Sequence, residues 1–307
     1  MTSGEESTAA ISICGISKRY GQLTAVKELQ LEVQKGEIFG FLGLNGAGKT
    51  TTIRILLDLL RPTDGRAFVF GRDCQSEGLE VRASVGYLPG EMNFYGDMPG
   101  LETLDFLAGI GGRAVRKQYR EELQERLALS SADLKRKLRQ YSTGMKRKLG
   151  LIQAFESDPS LLILDEPTEG LDPLMQEAFY ELLADSKQKG RTVFMSSHVL
   201  SEVEKVCDRI GLLRKGELVL LSPVEAIRKL AARRVRLFFS QDVEEGKLKL
   251  PPEHEILEIR PRMWTVHAQG PLGPLVEALA GLPLEDLMVE EPRLEDVIMK
   301  YYREDDR

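Results

Sequence analysis

At 307 residues, with 42% hydrophobic and 29% charged side chains, the chain has the size of about two domains and the make-up of a globular protein with a buried core. Its 42 basic and 48 acidic residues leave a net charge of −6, which argues against a nucleic-acid backbone as the main partner. Cys14, Cys74 and Cys207 lie too far apart for a CxxC metal or redox motif, and no apolar run approaches the ~20 residues that span a bilayer. The thiols therefore read as free cysteines of a reducing cytosol. The N-terminal stretch carries Glu5 and Glu6 and lacks a basic-then-apolar leader profile, so a cytoplasmic protein is expected.

Along the first two-thirds, short β-rich runs alternate with helical ones, the pattern of an α/β domain. Strands are expected at Ile11–Ile16, Leu29–Val33, Ile38–Leu42, Ala67–Phe70 and Val85–Leu88. Others follow at Leu161–Leu164, Thr192–Ser196, Ile210–Leu213 and Leu218–Leu221. Ile38–Leu42 and Leu161–Leu164 are apolar throughout, as strands covered on both faces are. Between Leu101 and Glu156, Leu104, Leu107 and Ala108, then Met145, Leu149 and Ile152, recur at helical spacing. That predicts a helical insert over about residues 92–158.

After Pro223 a short helix leads to Arg233 and Arg234, and the texture changes. Val235, Leu237, Phe239 and then Trp264, Val266, Ala268 alternate with period two, the mark of half-exposed strands. Helices are expected near Pro274–Ala280 and Leu294–Tyr302. A boundary near 230 thus separates a first domain, 1–230, from a small α+β domain, 231–307. The basic runs Arg113–Arg120 and Lys135–Arg139 read as solvated helix faces, Trp264 as core, and His254 and His267 lack a ligand-spaced partner.

Gly43-Leu44-Asn45-Gly46-Ala47-Gly48-Lys49-Thr50 is a full GxxxxGK[ST] match lying between an apolar strand and a helix read as Ile53–Leu60. Such a loop needs glycines so that successive backbone N–H groups can turn inward around a phosphate, which the helix N-terminus also attracts. Lys49 would bridge the β- and γ-phosphates of ATP and Thr50 would hold Mg²⁺. Asp165 and Glu166 end the strand Leu161–Leu164, at the edge where α/β sheets place ligands. By itself such a pair is a solvated strand end. Behind a phosphate loop, Asp165 suits the Mg²⁺ shell and Glu166 a general base for water.

Tyr141-Ser142-Thr143-Gly144-Met145 offers a cap, Ser142, and the free N–H groups of a helix start. Lying between the two phosphate-site motifs, it resembles the LSGGQ signature of the nucleotide-binding subunits of ATP-binding-cassette (ABC) transporters. The resemblance covers about residues 10–225 and implies a RecA-like P-loop ATPase core with a helical subdomain. It implies that Gly43 to Thr50, Thr51, Ser142, Thr143 and Gly144 contact nucleotide, and that Tyr20 stacks on adenine. His198, in Ser196-Ser197-His198, is similar to the family's switch histidine beside the γ-phosphate. Glu169-Gly170-Leu171-Asp172-Pro173 resembles the loop that crosses to a partner's site.

Three positions depart from the family pattern. Gly90 stands where glutamine is usual, with Glu91 one residue later as a candidate substitute; Thr143 and Met145 replace a glycine and a glutamine. The segment Glu291 to Val297 is similar to the tail of a subgroup serving separate, mostly exporting, permease chains. The implied assembly is a head-to-tail homodimer of cassettes attached through permease subunits to the cytoplasmic face of the membrane, with no nucleic acid bound. The alternative is a soluble cassette ATPase acting on ribosomes or nucleic acid, although such relatives usually carry two cassettes or a coiled-coil insert. A GTPase or small-molecule kinase is disfavoured because no NKxD motif is present.

Overall fold

In the computed structural model, which describes residues 9–112, 115–230, 233–248, 250–252, 254–290 and 294–303, the chain forms two compact units, up to Leu221 and from Ser222. The division falls before the short helix after Pro223 rather than after it. Glu5, Glu6, Arg113 and Glu291 to Arg293, all used in the sequence reading, lie outside the described residues.

The first unit opens with β1 (Ala9–Tyr20) and β2 (Leu23–Gln34), longer than their apolar centres foretold. Then come β3 (Ile38–Leu42), α1 (Lys49–Leu56), β4 (Asp64–Val69), β5 (Arg72–Asp73), α2 (Gly78–Ser84) and β6 (Val85–Leu88). The insert holds α3 (Gly100–Ile110), α4 (Lys117–Arg126), α5 (Ser131–Leu134) and α6 (Thr143–Phe155). The unit closes with β7 (Leu161–Asp165), α7 (Pro173–Gln188), β8 (Thr192–Ser197), α8 (Leu200–Val206), β9 (Arg209–Arg214) and β10 (Glu217–Pro223), whose last two residues fall past the division.

Every residue of β3, β7 and β8 is buried, as the continuous apolar runs require. They lie at the centre of a six-stranded sheet of order β10-β9-β3-β8-β7-β6, with β3, β8 and β7 parallel. The register sets Leu42 beside Ser197, Asp165 beside Ser196 and Leu88 beside Leu164, so the carboxyl ends of the strands form one edge. A second sheet, β2-β1-β4-β5, shares one apolar core with α1 and the first, where Phe39 stacks on Phe194 and Phe41 packs against it at a tilt.

Two expectations need correction. The helix after the phosphate loop runs from Lys49 to Leu56, not Ile53 to Leu60. Gly48 sits at φ 109° as its N-cap, and Asp58 at φ 53° turns the chain out of the helix. The run ending at Arg120 is not a solvated face throughout: Arg120 is buried, with Nε donating to buried Glu156 at 2.6 Å and Nη1 to Asp105.

The second unit contains α9 (Val224–Leu230), β11 (Arg233–Phe239), β12 (His254–Arg260), β13 (Met263–Ala268), α10 (Gly273–Leu279), β14 (Leu284–Glu290) and α11 (Leu294–Arg303). Its antiparallel sheet has the order β12-β13-β11-β14. Val235, Leu237, Phe239, Trp264 and Val266 face α10's Leu275 and Leu279 across a small core, with the Phe239 and Trp264 rings edge to face. β12 and β14 escape the period-two reading because both mix acids into their outward faces, and β12 carries a register shift between Ile256 and Glu258.

Candidate nucleotide-binding site

The loop Gly43–Gly48 leaves the carboxyl end of β3 and turns into α1; Leu44 to Gly48 line a cavity of about 310 Å³ with Lys49, Thr50 and Thr51, while Gly43 packs behind it against the Leu213 carbonyl. Gly48 is the one residue type that fits there, because a Cβ on it would lie 2.4 Å from the Ala25 carbonyl. Tyr20 lies on the same cavity, half-exposed, with the Lys18 ammonium 5.1 Å from its ring centre. Leu23 and Ala25 of β2 also line it, and sequence reasoning passed over both. Their signal is weak, since exposed Leu23 alone reads as a strand-end residue.

Two adjacent acids take different partners here. Asp165, almost fully buried, accepts hydrogen bonds from Thr50 Oγ1 at 2.8 Å and from the Ser196 hydroxyl. Glu166 stands at φ 49°, a conformation rare outside glycine, and its N–H donates to Ser196 Oγ at 3.1 Å. That turn swings its carboxylate away from Asp165. Oε2 lies 2.8 Å from His198 Nδ1, while buried Oε1 has no hydrogen bond and faces Lys49 Nζ at 3.1 Å. Lys49 Nζ also donates to the Gly43 carbonyl. The structure thus joins Lys49, Thr50, Asp165, Glu166 and His198 in one network at the strand ends.

Ser142, Thr143 and Gly144 do not line this cavity. Ser142 caps α6, its Oγ accepting from the Met145 N–H at 3.2 Å, and Gly144 packs so closely on Gly170 that a Cβ would lie 2.8 Å from its carbonyl. The cap and the open helix start match the sequence reading. Gly90 abuts Asp165, where an added Cβ would lie 3.3 Å from Oδ2, and Glu91 is exposed. A position touching Asp165 explains how a longer side chain there would reach a metal.

The residues fit Mg²⁺ with a nucleotide. Thr50 and Asp165 offer adjacent hard oxygens, Lys49 an ammonium held in the loop, and Glu166 a carboxylate oxygen without a hydrogen bond. No cluster of three or more His, Cys, Asp or Glu makes a protein-only metal site among the described residues. Mg²⁺ does without one, because it takes one or two side chains together with phosphates and water. Burial pushes the Tyr87 phenol on β6 up to about 12, reinforced by Asp165, so this neighbour stays neutral.

Residues 26–169 match the family model described as ABC transporter. An ABC transporter ATP-binding protein of Synechocystis sp. is 35% identical over 291 residues, covering 92% of this chain and 80% of that protein. The bacitracin transport ATP-binding protein BcrA of Enterococcus faecalis is 39% identical, covering 76% of this chain and 74% of BcrA. The Nod factor export ATP-binding protein I of Cupriavidus metallidurans is 32% identical, covering 95% and 97%. Among solved structures, an ATP-binding subunit of an ABC transporter superposes with TM-score 0.66 at 28% identity, covering 72% of this chain and 92% of that one. The dimeric cassette MJ0796, at 22% identity, shares the fold, with TM-score 0.64 over 70% of this chain and 98% of its own. The expected P-loop ATPase core with a helical subdomain is thereby found, and the chain belongs to the ABC transporter family, as an ATP-binding and ATP-hydrolysing subunit.

Proposed function

We propose that this chain powers an exporter, hydrolysing Mg·ATP in a homodimer of cassettes attached to separate permease subunits at the cytoplasmic face of a membrane. No helix among the described residues is long and apolar enough to cross a bilayer, so a membrane role runs through partners. Relatives named for bacitracin transport and Nod factor export favour this reading over ribosome or nucleic-acid work.

The observation that carries it is the divergence of Asp165 and Glu166. Thr50 and Asp165 would hold Mg²⁺, which when bound would neutralise phosphate charge. The Gly43–Gly48 amides and Lys49 bind the phosphates, with Thr51 continuing the cradle and Tyr20 stacking on adenine. Phosphate competes with Glu166 for Lys49, which frees the carboxylate to accept a proton from the attacking water. His198, whose Nδ1–H donates to Glu166 Oε2, is held beside the γ-phosphate and orients that carboxylate. Water's oxygen bonds to the γ-phosphorus, the bond to ADP breaks, and the proton rests on Glu166. Ser142, Thr143 and Gly144 of the other copy close over the nucleotide by a twofold, self-complementary pairing. All of this work falls within residues 1–230, with 231–307 as an accessory domain.

The permease enters at a cavity of about 380 Å³ between core and insert, where Met92, Phe94, Leu107 and Ile110 give apolar walls and Arg82 a polar edge. The test is assembly in solution. Glu166→Gln with ATP is expected to dimerise in size-exclusion runs, and adding Ser142→Arg to abolish the dimer by blocking the partner's triphosphate. Equal dimerisation of both variants would remove the signature from the interface.

A further inference from the structure

The loop after β7, from Glu166 to Asp172, is gripped from two sides by buried ions of opposite sign. Neither ion belongs to the network described above. Arg147 reaches in from α6 with 3% of its surface exposed. Its Nε donates to the Glu169 carbonyl at 3.1 Å, Nη1 to the Pro89 carbonyl at 3.0 Å and Nη2 to the Gly90 carbonyl at 2.7 Å. One planar fork therefore ties the signature helix to two loops, a task a lysine's single ammonium cannot copy. Its only carboxylate within ion-pair range among the described residues is Glu169, at 3.5 Å and largely in solvent.

Glu202 reaches the same loop from α8, 8% exposed. Oε1 accepts from Thr168 Oγ1 at 2.6 Å and Oε2 from Ser197 Oγ at 2.8 Å. Ser197 Oγ in turn accepts the Val199 N–H at 2.9 Å, so the turn that carries His198 hangs from Glu202. Between the two grips the loop is internally braced by the Glu169 N–H on the Glu166 carbonyl and the Leu171 N–H on the Thr168 carbonyl. Burying an ion away from a full counter-charge is costly, and apolar packing would serve stability as well. What these ions add is position. Arg147 fixes a backbone carbonyl three residues from Glu166, and Glu202 fixes hydroxyls two residues from Glu166 and one from His198.

We propose that Arg147 and Glu202 act together as positioning residues for hydrolysis. Through the Glu166–Asp172 loop they hold the Gly90 turn, the signature helix and the His198 turn as one unit, which keeps Glu166 and His198 aimed at the same water. The proposal rests on the ATPase reading of the site. It also accounts for Gly90: the grip takes a carbonyl, which glycine supplies as well as glutamine.

Two measurements on the full-length chain test it. Arg147→Lys and Glu202→Gln each lower kcat ~10–100-fold, as a displacement near 1 Å does, with KM and affinity for a fluorescent ATP analogue within twofold of the parent. The double variant falls no further than the weaker single one, because one loop is released only once. Multiplying losses, or ATP affinity lost in step with kcat, would make these residues merely structural and overturn the proposal. The second measurement, backbone hydrogen exchange, needs no turnover. Arg147→Lys is expected to speed exchange in the His198 turn, and Glu202→Gln in the Gly90 turn, each remote from the change. Faster exchange confined to the substituted side overturns the proposal even in a chain that hydrolyses nothing, whereas failure of the ATPase reading shows only in the unsubstituted enzyme.

Discussion

The cassette buries Lys49, Arg147, Asp165 and Glu202 at or beside the carboxyl ends of its parallel strands, whereas the unit beginning at Ser222 closes its sheet with Phe239, Trp264 and Val266. Among that second unit's described polar side chains only His254 and Thr265 are buried. Buried charge is expensive and stays where it has partners and a task. The first unit's interior near the strand ends is therefore tuned for chemistry, and the second unit's interior for cohesion. Substitutions inside the first should change rates; substitutions inside the second should change stability.

The largest expected effect tests the first half of that contrast. Lys49→Ala is expected to abolish binding of a fluorescent ATP analogue, because it removes the only ammonium in the loop. Glu166→Gln should retain binding yet lose ~10²–10⁴ in kcat, the usual consequence of removing a positioned base. Equal loss of affinity in both variants would mean that Glu166 is a ligand and that the acids do not divide their work. The second half is tested at Trp264, 1% exposed against Phe239. Trp264→Ala should destabilise its unit by about 3–5 kcal/mol, seen as earlier proteolysis within residues 233–290, while KM for ATP holds. A parallel loss of ATP binding would show that the units are energetically one.

Legibility in the sequence follows the same line. The placement of the phosphate loop and of Asp165–Glu166 at the strand ends can be read directly because each is written as residue type at fixed spacing beside an unbroken apolar strand. His198 needed the family resemblance, since its tie to Glu166 spans 32 residues of sequence and is made only by the register of β7 and β8. Arg147 leaves no trace of its role: it stands in a basic stretch, Lys146 to Lys148, and its acceptors are main-chain carbonyls that any residue provides. The end of α1 is misplaced because Leu57, Leu59 and Leu60 keep the helical apolar spacing while Asp58 leaves the helix. β14 stays hidden because its core contact comes through Leu284 and Leu287 between acids.

His254 gives a smaller test of the cohesion claim. It is 6% exposed at the start of β12, and neither ring nitrogen has a hydrogen-bond partner. A desolvated, unpartnered polar group costs about 1–3 kcal/mol, so His254→Leu is expected to raise the melting temperature of the second unit by a few degrees. A fall would reveal a partner for the imidazole and would add a polar requirement to a core otherwise read as apolar.

The smallest expected effect on the isolated chain is at Tyr95, and its smallness is informative. Tyr95 is 75% exposed in the turn that follows Gly90, whereas Phe94 beside it lines the cavity between core and insert. A large aromatic left in water contributes little to the fold that bears it, and aromatic side chains of this kind anchor interfaces. Truncating a buried tyrosine would cost kcal/mol; truncating this one should not. Tyr95→Ala is therefore expected to leave melting temperature and basal ATPase unchanged and to weaken co-purification with the permease from detergent-solubilised membranes. Phe94→Ala, which opens the cavity wall, should lower both stability and co-purification. If Tyr95→Ala destabilises the chain instead, the turn packs more closely than its exposure indicates. If neither variant disturbs co-purification, the permease docks elsewhere, and the rate-tuned region would have to receive its mechanical signal by a route other than the Gly90 turn.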